Sequence, residues 1–240
     1  MLLIRPYPKA TDTLPNYLLR LTAANGYKNS MQLLRDEHCL LANNRLPGKK
    51  IFFGDFDLDR IATLANIETM QLRELNFTHT FSTRCLAFGQ EFLTKVISFS
   101  NVRICPYCYQ EHQTIPFSNS LLAKTYCTKH KTQLITIHPT TGRKLTWATH
   151  YLWRDASTWI PQIHPIDIGE AELAINEQLE KLANNSLVIA NQALDLAEYC
   201  DMLEFFARFH QVAFGSNITT KYEINSSRNF YASAYWYIEE

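Results

Sequence analysis

No apolar run in this 240-residue chain approaches the roughly 18 to 20 residues that a membrane span requires. The opening, MLLIRPYPKATD, lacks the charged head, long apolar stretch and small-residue cleavage site of a secretory signal. The expected location is therefore the cytoplasm, with no membrane partner. Glycine is scarce, at 7 residues, and no Gly-rich phosphate loop of the Walker type occurs, which argues against ATP use. There is no nucleophile elbow and no His-Glu-x-x-His motif, and nothing points to the spaced acidic triad of a transposase. The chain is expected to be no enzyme. Internal repeats and low-complexity segments are absent as well.

What is present is the make-up of an ordinary folded protein, 46% hydrophobic and 19% charged. Net charge is zero, but it is unevenly spread. Residues 1–150 hold 18 Lys and Arg against 10 Asp and Glu, whereas residues 151–240 hold 5 against 13. A basic front half and an acidic back half are what two surfaces with different partners would look like; chance patterning of a solvated surface gives the same numbers.

The periodicity is mainly helical. Thr11, Asp12 and Thr13 offer N-cap oxygens, Pro15 suits a first turn, and Leu14, Tyr17, Leu18 and Leu21 recur at helical spacing before Asn25-Gly26. A short helix is predicted over Ser30–His38, then a polar loop over Asn43–Lys50. In residues 55–77 the stripe Leu58, Ile61, Ala62 and Ala65, a break at Ile67, and a second stripe at Leu72 and Leu75 outline a helix-turn-helix. Helical hairpins without any nucleic-acid role share this outline, and the second helix has few cations for phosphates. Asp55, Asp57 and Asp59 read as helix-capping carboxylates before they read as a metal site. Residues 96–148, with VISFS and TQLITI, should form short strands and loops. Helices are predicted again over Glu170–Leu182 and from about Leu187 to Phe214, followed by an aromatic tail (Phe230, Tyr231, Tyr235, Trp236, Tyr237) that either docks on the core or anchors a partner.

Three of the six cysteines fall in one 26-residue stretch that ends in histidine. Cys105 and Cys108 form a Cys-x-x-Cys pair, and 18 residues later Cys127 and His130 form a Cys-x-x-His pair. A two-residue spacer lets both members of a pair reach one ion, and three thiolates with one imidazole make the closed tetrahedral set of a structural zinc. The alternatives are a redox pair, which should open a helix within a βαβ unit, and an accidental cluster. Nothing around Arg103–Gln110 predicts such a helix. His112 and His138 could substitute for His130, but neither stands two residues after a cysteine. The insert between the pairs looks too polar to hold a core, so one zinc ion should be integral to folding. Cys39, Cys85 and Cys200 are expected to be core residues.

Two motifs resemble the TniQ family of transposition target-selection proteins: IRPYPKATDTLPNYLLRLTAANGY at the start, and ICPYCYQE with KTYCTKHKTQLI at the cysteine pairs. The resemblance covers roughly residues 1–138, and the helical unit at 55–77 falls where the family has its helix-turn-helix. It implies a bacterial adaptor, a homodimer in its Cascade-bound form, connecting a target selector such as the RNA-guided Cascade complex of CRISPR-associated transposons to the AAA+ regulator TnsC. The alternative is a stand-alone zinc-dependent DNA-binding protein, either a TnsD-like reader of a DNA site or a transcriptional regulator. The stretch IHPTTGRKLTW carries no cysteine where family members often have a second set, so a second zinc is not expected. The expected architecture is mostly α with a small zinc-ribbon β element. An N-terminal helical, helix-turn-helix-like region covers 1–95, a zinc module 96–148 and a C-terminal helical region 149–240.

Overall fold

The computed structural model describes residues 2–9, 12–40, 48–147, 169–183 and 195–214. Helix α1 spans Leu14–Ala24, with Thr13 as N-cap and Pro15 in the first turn, and buries Leu14, Tyr17, Leu18 and Leu21 completely. The Asn25 amide then pairs with both backbone groups of Ile4, at 3.0 and 2.6 Å, and so fastens the N-terminal segment beside the helix end. Helix α2 spans Ser30–Asp36, capped by the Asn29 side chain. It stops two residues short of the expected end, since His38 takes a positive φ of 54°.

Gly48–Phe52 is a short helix, α3, where a loop through Lys50 was expected; residues 41–47 of that loop lie outside the described residues. Tertiary packing overrides local preference here. Ile51 and Phe52 are pulled into the core, and Phe52 meets Phe77, Phe99 and Trp147 edge-on at centroid distances of 5.0 to 5.3 Å.

Helices α4 (Leu58–Ala65) and α5 (Thr69–Glu74) occupy the region with the two-stripe pattern. The Asp57 carboxylate accepts the Arg60 N–H at 2.9 Å, so one of the three aspartates is an N-cap, and Asp59 lies in the first turn. Asn66 ends α4 in the left-handed region at φ 55°, a conformation that asparagine tolerates better than most residues. Ile61, Ala62, Ala65 and Leu72 are buried, and Ile67 packs in the break.

The sequence reading assigned no strand to residues 78–93, yet they form an antiparallel sheet of β1 (Thr78–Phe81), β2 (Arg84–Ala87) and β3 (Gln90–Leu93). Cys85 pairs with His79 on one side and Phe92 on the other, so Cys85 and Phe92 share the buried face. Phe88 and Gly89 turn the second hairpin with positive φ. Phe88 also reaches back to Phe117, at 5.0 Å between rings.

Residues 96–147 are held largely by single bridges, among them Ile104 with Ile135 and Ile97 with Leu121. They contain α6 (Pro106–His112), a 3-10 turn over Phe117–Ser120, and the hairpin of β4 (Tyr126–Cys127) and β5 (Thr132–Gln133). The C-terminal helices are α7 (Glu170–Ala183) and α8 (Leu196–Phe214). Helix α8 does not begin at 187. Asp195 precedes it, exchanging capping hydrogen bonds with Glu198 at 2.8 and 3.0 Å, and residues 184–194 lie outside the described residues. So does the aromatic tail.

The molecule is thus helix-rich with small sheets. Among the described residues, three ion pairs join the basic front half to the acidic helices: Arg84–Asp201 at 3.1 Å, and Lys95–Glu204 and Lys124–Glu180 at 2.9 Å each. Part of the charge asymmetry is therefore matched within the chain.

Candidate metal centre

Cys105 is the N-cap of α6, with Pro106 in its first turn. A helix does open at the Cys-x-x-Cys pair, contrary to the sequence expectation. Proline at the first helical position has its φ already set and lacks an N–H that would be unsatisfied there anyway. Buried Tyr109 anchors the helix on the core, and Gln113 ends it in the left-handed region at φ 51°. The helical turn places Cys108 beside Cys105. The sheets around it are antiparallel, so the βαβ setting of a redox pair is absent among the described residues.

The second pair stands on the β4–β5 hairpin. Cys127 ends β4 and His130 lies in the turn, where Lys131 takes a φ of 50°. The three Sγ atoms and one His130 ring nitrogen lie within 4.8 Å of one another. His130 Nδ1 is 3.2 Å from Cys108 Sγ, 3.4 Å from Cys105 Sγ and 3.6 Å from Cys127 Sγ, and the sulfurs of Cys108 on α6 and Cys127 on the hairpin are 3.6 Å apart. A tetrahedron with metal–sulfur bonds of about 2.3 Å and a metal–nitrogen bond of about 2.0 Å has edges of roughly 3.5–3.8 Å. The donor set fits a metal ion of that kind in both chemistry and size. His112 is exposed beside Glu111, and His138 is buried with its Nδ1 accepting from Thr140 and Thr141; neither joins the cluster.

All six cysteines are free thiols. Crowding three of them around one point polarises their ionisation. Hydrogen bonds from Cys108 and Cys127 draw the Cys105 thiol down to about 3, while contacts with Cys105 and Cys127, and burial, push Cys108 far above the ordinary thiol range. The Cys105 thiolate is stabilised at the expense of Cys108, and a bound dication is what would let both ionise together. Burial pushes Cys39 and Cys85 up to about 11, as suits inert core thiols, and it raises Cys200 too.

The surroundings supply what the spacing could not reveal. Glu111, on α6, meets His130 Nε2 at 3.1 Å, which fixes the ring so that Nδ1 faces the sulfurs. Hydrogen bonds from Lys129 and then His130 hold the Glu111 carboxyl below its usual range. Tyr107 stacks on the His130 ring at 5.3 Å, and Thr132 Oγ1 lies 3.6 Å from Cys105 Sγ. Glu111 was overlooked because the helix that carries it was not predicted; three residues beyond Cys108 on a helix, its position could have been read.

The insert between the pairs is not a polar passenger. Ile115, Phe117, Leu121 and Ala123 are buried in the main core, and Phe117 contacts Phe77, Phe88 and Phe92. Its polar residues Ser118, Asn119 and Ser120 are buried in the 3-10 turn.

Comparison with curated proteins gives no match. The TniQ family model matches residues 3–134, a span that begins in the segment fastened by Asn25 and ends just past the four clustered ligands. More than half of the chain is covered, and the chain accordingly belongs to the TniQ family of transposition-associated proteins.

Proposed function

We propose that the protein is a non-catalytic, zinc-stabilised adaptor in DNA transposition, linking a target-recognition complex to an AAA+ regulator of the TnsC type. The observation that carries this reading is the family match, which takes in α1, the α4–α5 pair and the Cys105–Cys108–Cys127–His130 cluster in one span. The ion is zinc and its role structural: four protein donors fill a tetrahedron and leave no position for a reacting water. The target selector is the RNA-guided Cascade complex, which the protein would meet in the cytoplasm as a homodimer.

The α4–α5 pair has the outline of a helix-turn-helix, and we assign it to protein contact in place of sequence reading. Its exposed α5 residues, Met70, Arg73 and Glu74, include one cation. The open groove of about 480 Å³ at its turn, bordered by Tyr7, Asn66, Glu68 and Gln71, has no Lys or Arg in its lining. Affinity for DNA comes largely from cations on phosphates.

Pull-down with purified, zinc-loaded protein tests the reading, with the AAA+ regulator, Cascade and bare DNA offered separately. Capture of the regulator or Cascade, with little DNA retained at physiological salt, is expected. Tight binding of a discrete DNA site with neither protein captured would replace this reading with that of a TnsD-like site reader.

A further inference from the structure

The C-terminal helices are held at two different places. Helix α8 lies against β3 and is paired through Arg84–Asp201 and Lys95–Glu204. Helix α7 packs instead on β4 and on the 3-10 turn of the insert, and it touches α8 as well; its hydrogen-bonded grips on other elements go to the segment around the second ligand pair. Asn176, fully buried on α7, accepts the backbone N–H groups of Thr125 and Tyr126 on one amide oxygen, each at 2.9 Å. Its amide nitrogen donates to the Glu172 carbonyl at 2.6 Å, which leaves the oxygen turned toward the strand. Thr125 donates to Glu172, Thr128 donates to Glu180, and Lys124 pairs with Glu180. These grips run from residue 124 to 128, with the ligand Cys127 among them.

The gripped hairpin has little of its own to keep it in register. Strands β4 and β5 are two residues each, and a two-stranded hairpin is marginal in water even at greater length. Beside the shared ion, only half-exposed contacts tie its turn to α6: Glu111 with His130 and Lys129, and Tyr107 stacked on the His130 ring. The two amides that meet Asn176 must point at one oxygen, and that demands the strand be fixed.

We infer that the metal centre is a latch for the C-terminal part of the chain: with the ion bound, the hairpin presents Thr125 and Tyr126 to Asn176 and α7 is docked; with the ion removed, α7 is released while α8 stays on the sheet. The inference rests on the zinc reading above. Coupling of this kind is reciprocal, so undocking α7 weakens the metal in turn.

Hydrogen exchange on the full chain, with zinc content measured on the same samples, tests this. Removing zinc with a chelator is expected to speed exchange in 170–183 and 124–134 by about tenfold or more, and to leave 14–24, 84–93 and 196–205 within about twofold. In the zinc-loaded protein, Asn176→Ala is expected to speed exchange in 170–183 and at the Thr125 and Tyr126 amides it no longer accepts from, and to raise the zinc Kd about fivefold or more in chelator competition. Continued protection of 170–183 after verified zinc removal overturns the latch. So does simultaneous loss of protection in every helix, which would make the ion a support for the whole fold. A chain that takes up no zinc overturns the metal assignment as well, and the metal analysis reports that separately from the exchange.

Discussion

Asn16 and Ile115 stand 99 positions apart in the chain, and the amide oxygen of the first accepts the backbone N–H of the second at 3.1 Å in the buried core. The nitrogen of the same amide donates to Asp12 Oδ1 at 2.7 Å, and Asp12 in turn pairs with Arg20. Helix α1 is thereby joined to the start of the insert between the two ligand pairs, as α7 is joined to its end.

Replacing Asn16 with Ala should leave the Ile115 N–H and an Asp12 oxygen without this partner, at a cost of about 1–3 kcal/mol. Urea denaturation would show it as a lower midpoint with an unchanged slope. A midpoint equal to that of the parent would mean that water replaces the amide without loss.

Gly48 and Gly26 give a paired test of close packing. A Cβ at Gly48 would lie 2.2 Å from the Phe99 carbonyl oxygen, whereas at Gly26, with φ 73°, nothing lies within 4 Å. Gly48→Ala should cost about 1–3 kcal/mol or more through overpacking, and Gly26→Ala about 1 kcal/mol through backbone strain. Thermal denaturation should rank them in that order; the reverse order would show that α3 shifts freely away from Phe99.

Metal content sorts the cysteines. Cys108→Ser and His130→Ala should lose stoichiometric zinc, while Cys85→Ala, a core change, should keep it. Glu111→Gln should retain the metal with affinity lowered about 10- to 100-fold, since it orients His130 from outside the coordination sphere. Elemental analysis and chelator competition check both statements, and unchanged affinity in the Glu111 variant would remove its orienting role.

Asp201 gives a pH dependence of known sign. Burial raises its pKa, opposed by Arg84. A carboxyl with a folded value above the unfolded one contributes stability that is fully present below the unfolded pKa and is lost as pH rises through the folded pKa. The stability difference between the parent and Asp201→Asn should therefore favour the parent most in acid and shrink as pH rises through the carboxylate range. Taking the difference cancels effects common to both, including acid release of a metal. A difference that grows with pH would mean that the Arg84 pairing outweighs burial.

Local rules reached the features that local chemistry decides. The caps at Thr13 and Asp57, the stripe from Ile61 to Ala65, and the Cys-x-x-Cys and Cys-x-x-His spacings were all readable, because each is settled within one or two turns of chain. Strands THTF, RCLA and QEFL were not. Four residues are too few for alternation to show, and Cys85 is buried by its neighbours across the sheet. The polar insert misled for a related reason: Ser118, Asn119 and Ser120 are buried because Phe117 and Leu121 on either side carry them inward. The grips of Asn16 and Asn176 depend on partners 99 and about 50 positions away, and nothing in their own neighbourhood marks them.

The ion pairs Arg84–Asp201, Lys95–Glu204 and Lys124–Glu180 also bear on how pieces of the molecule behave once separated. A fragment ending near residue 150 would lose the acidic partners of Lys95 and Lys124 and one of the two partners of Arg84, which keeps Glu91, and would carry an excess of eight positive charges by residue count. Such a fragment should adhere to any nucleic acid by displacing condensed counterions, with an affinity falling steeply as salt is added. Retention of a truncated protein on DNA would then report the missing acidic helices and say little about target choice by the intact chain.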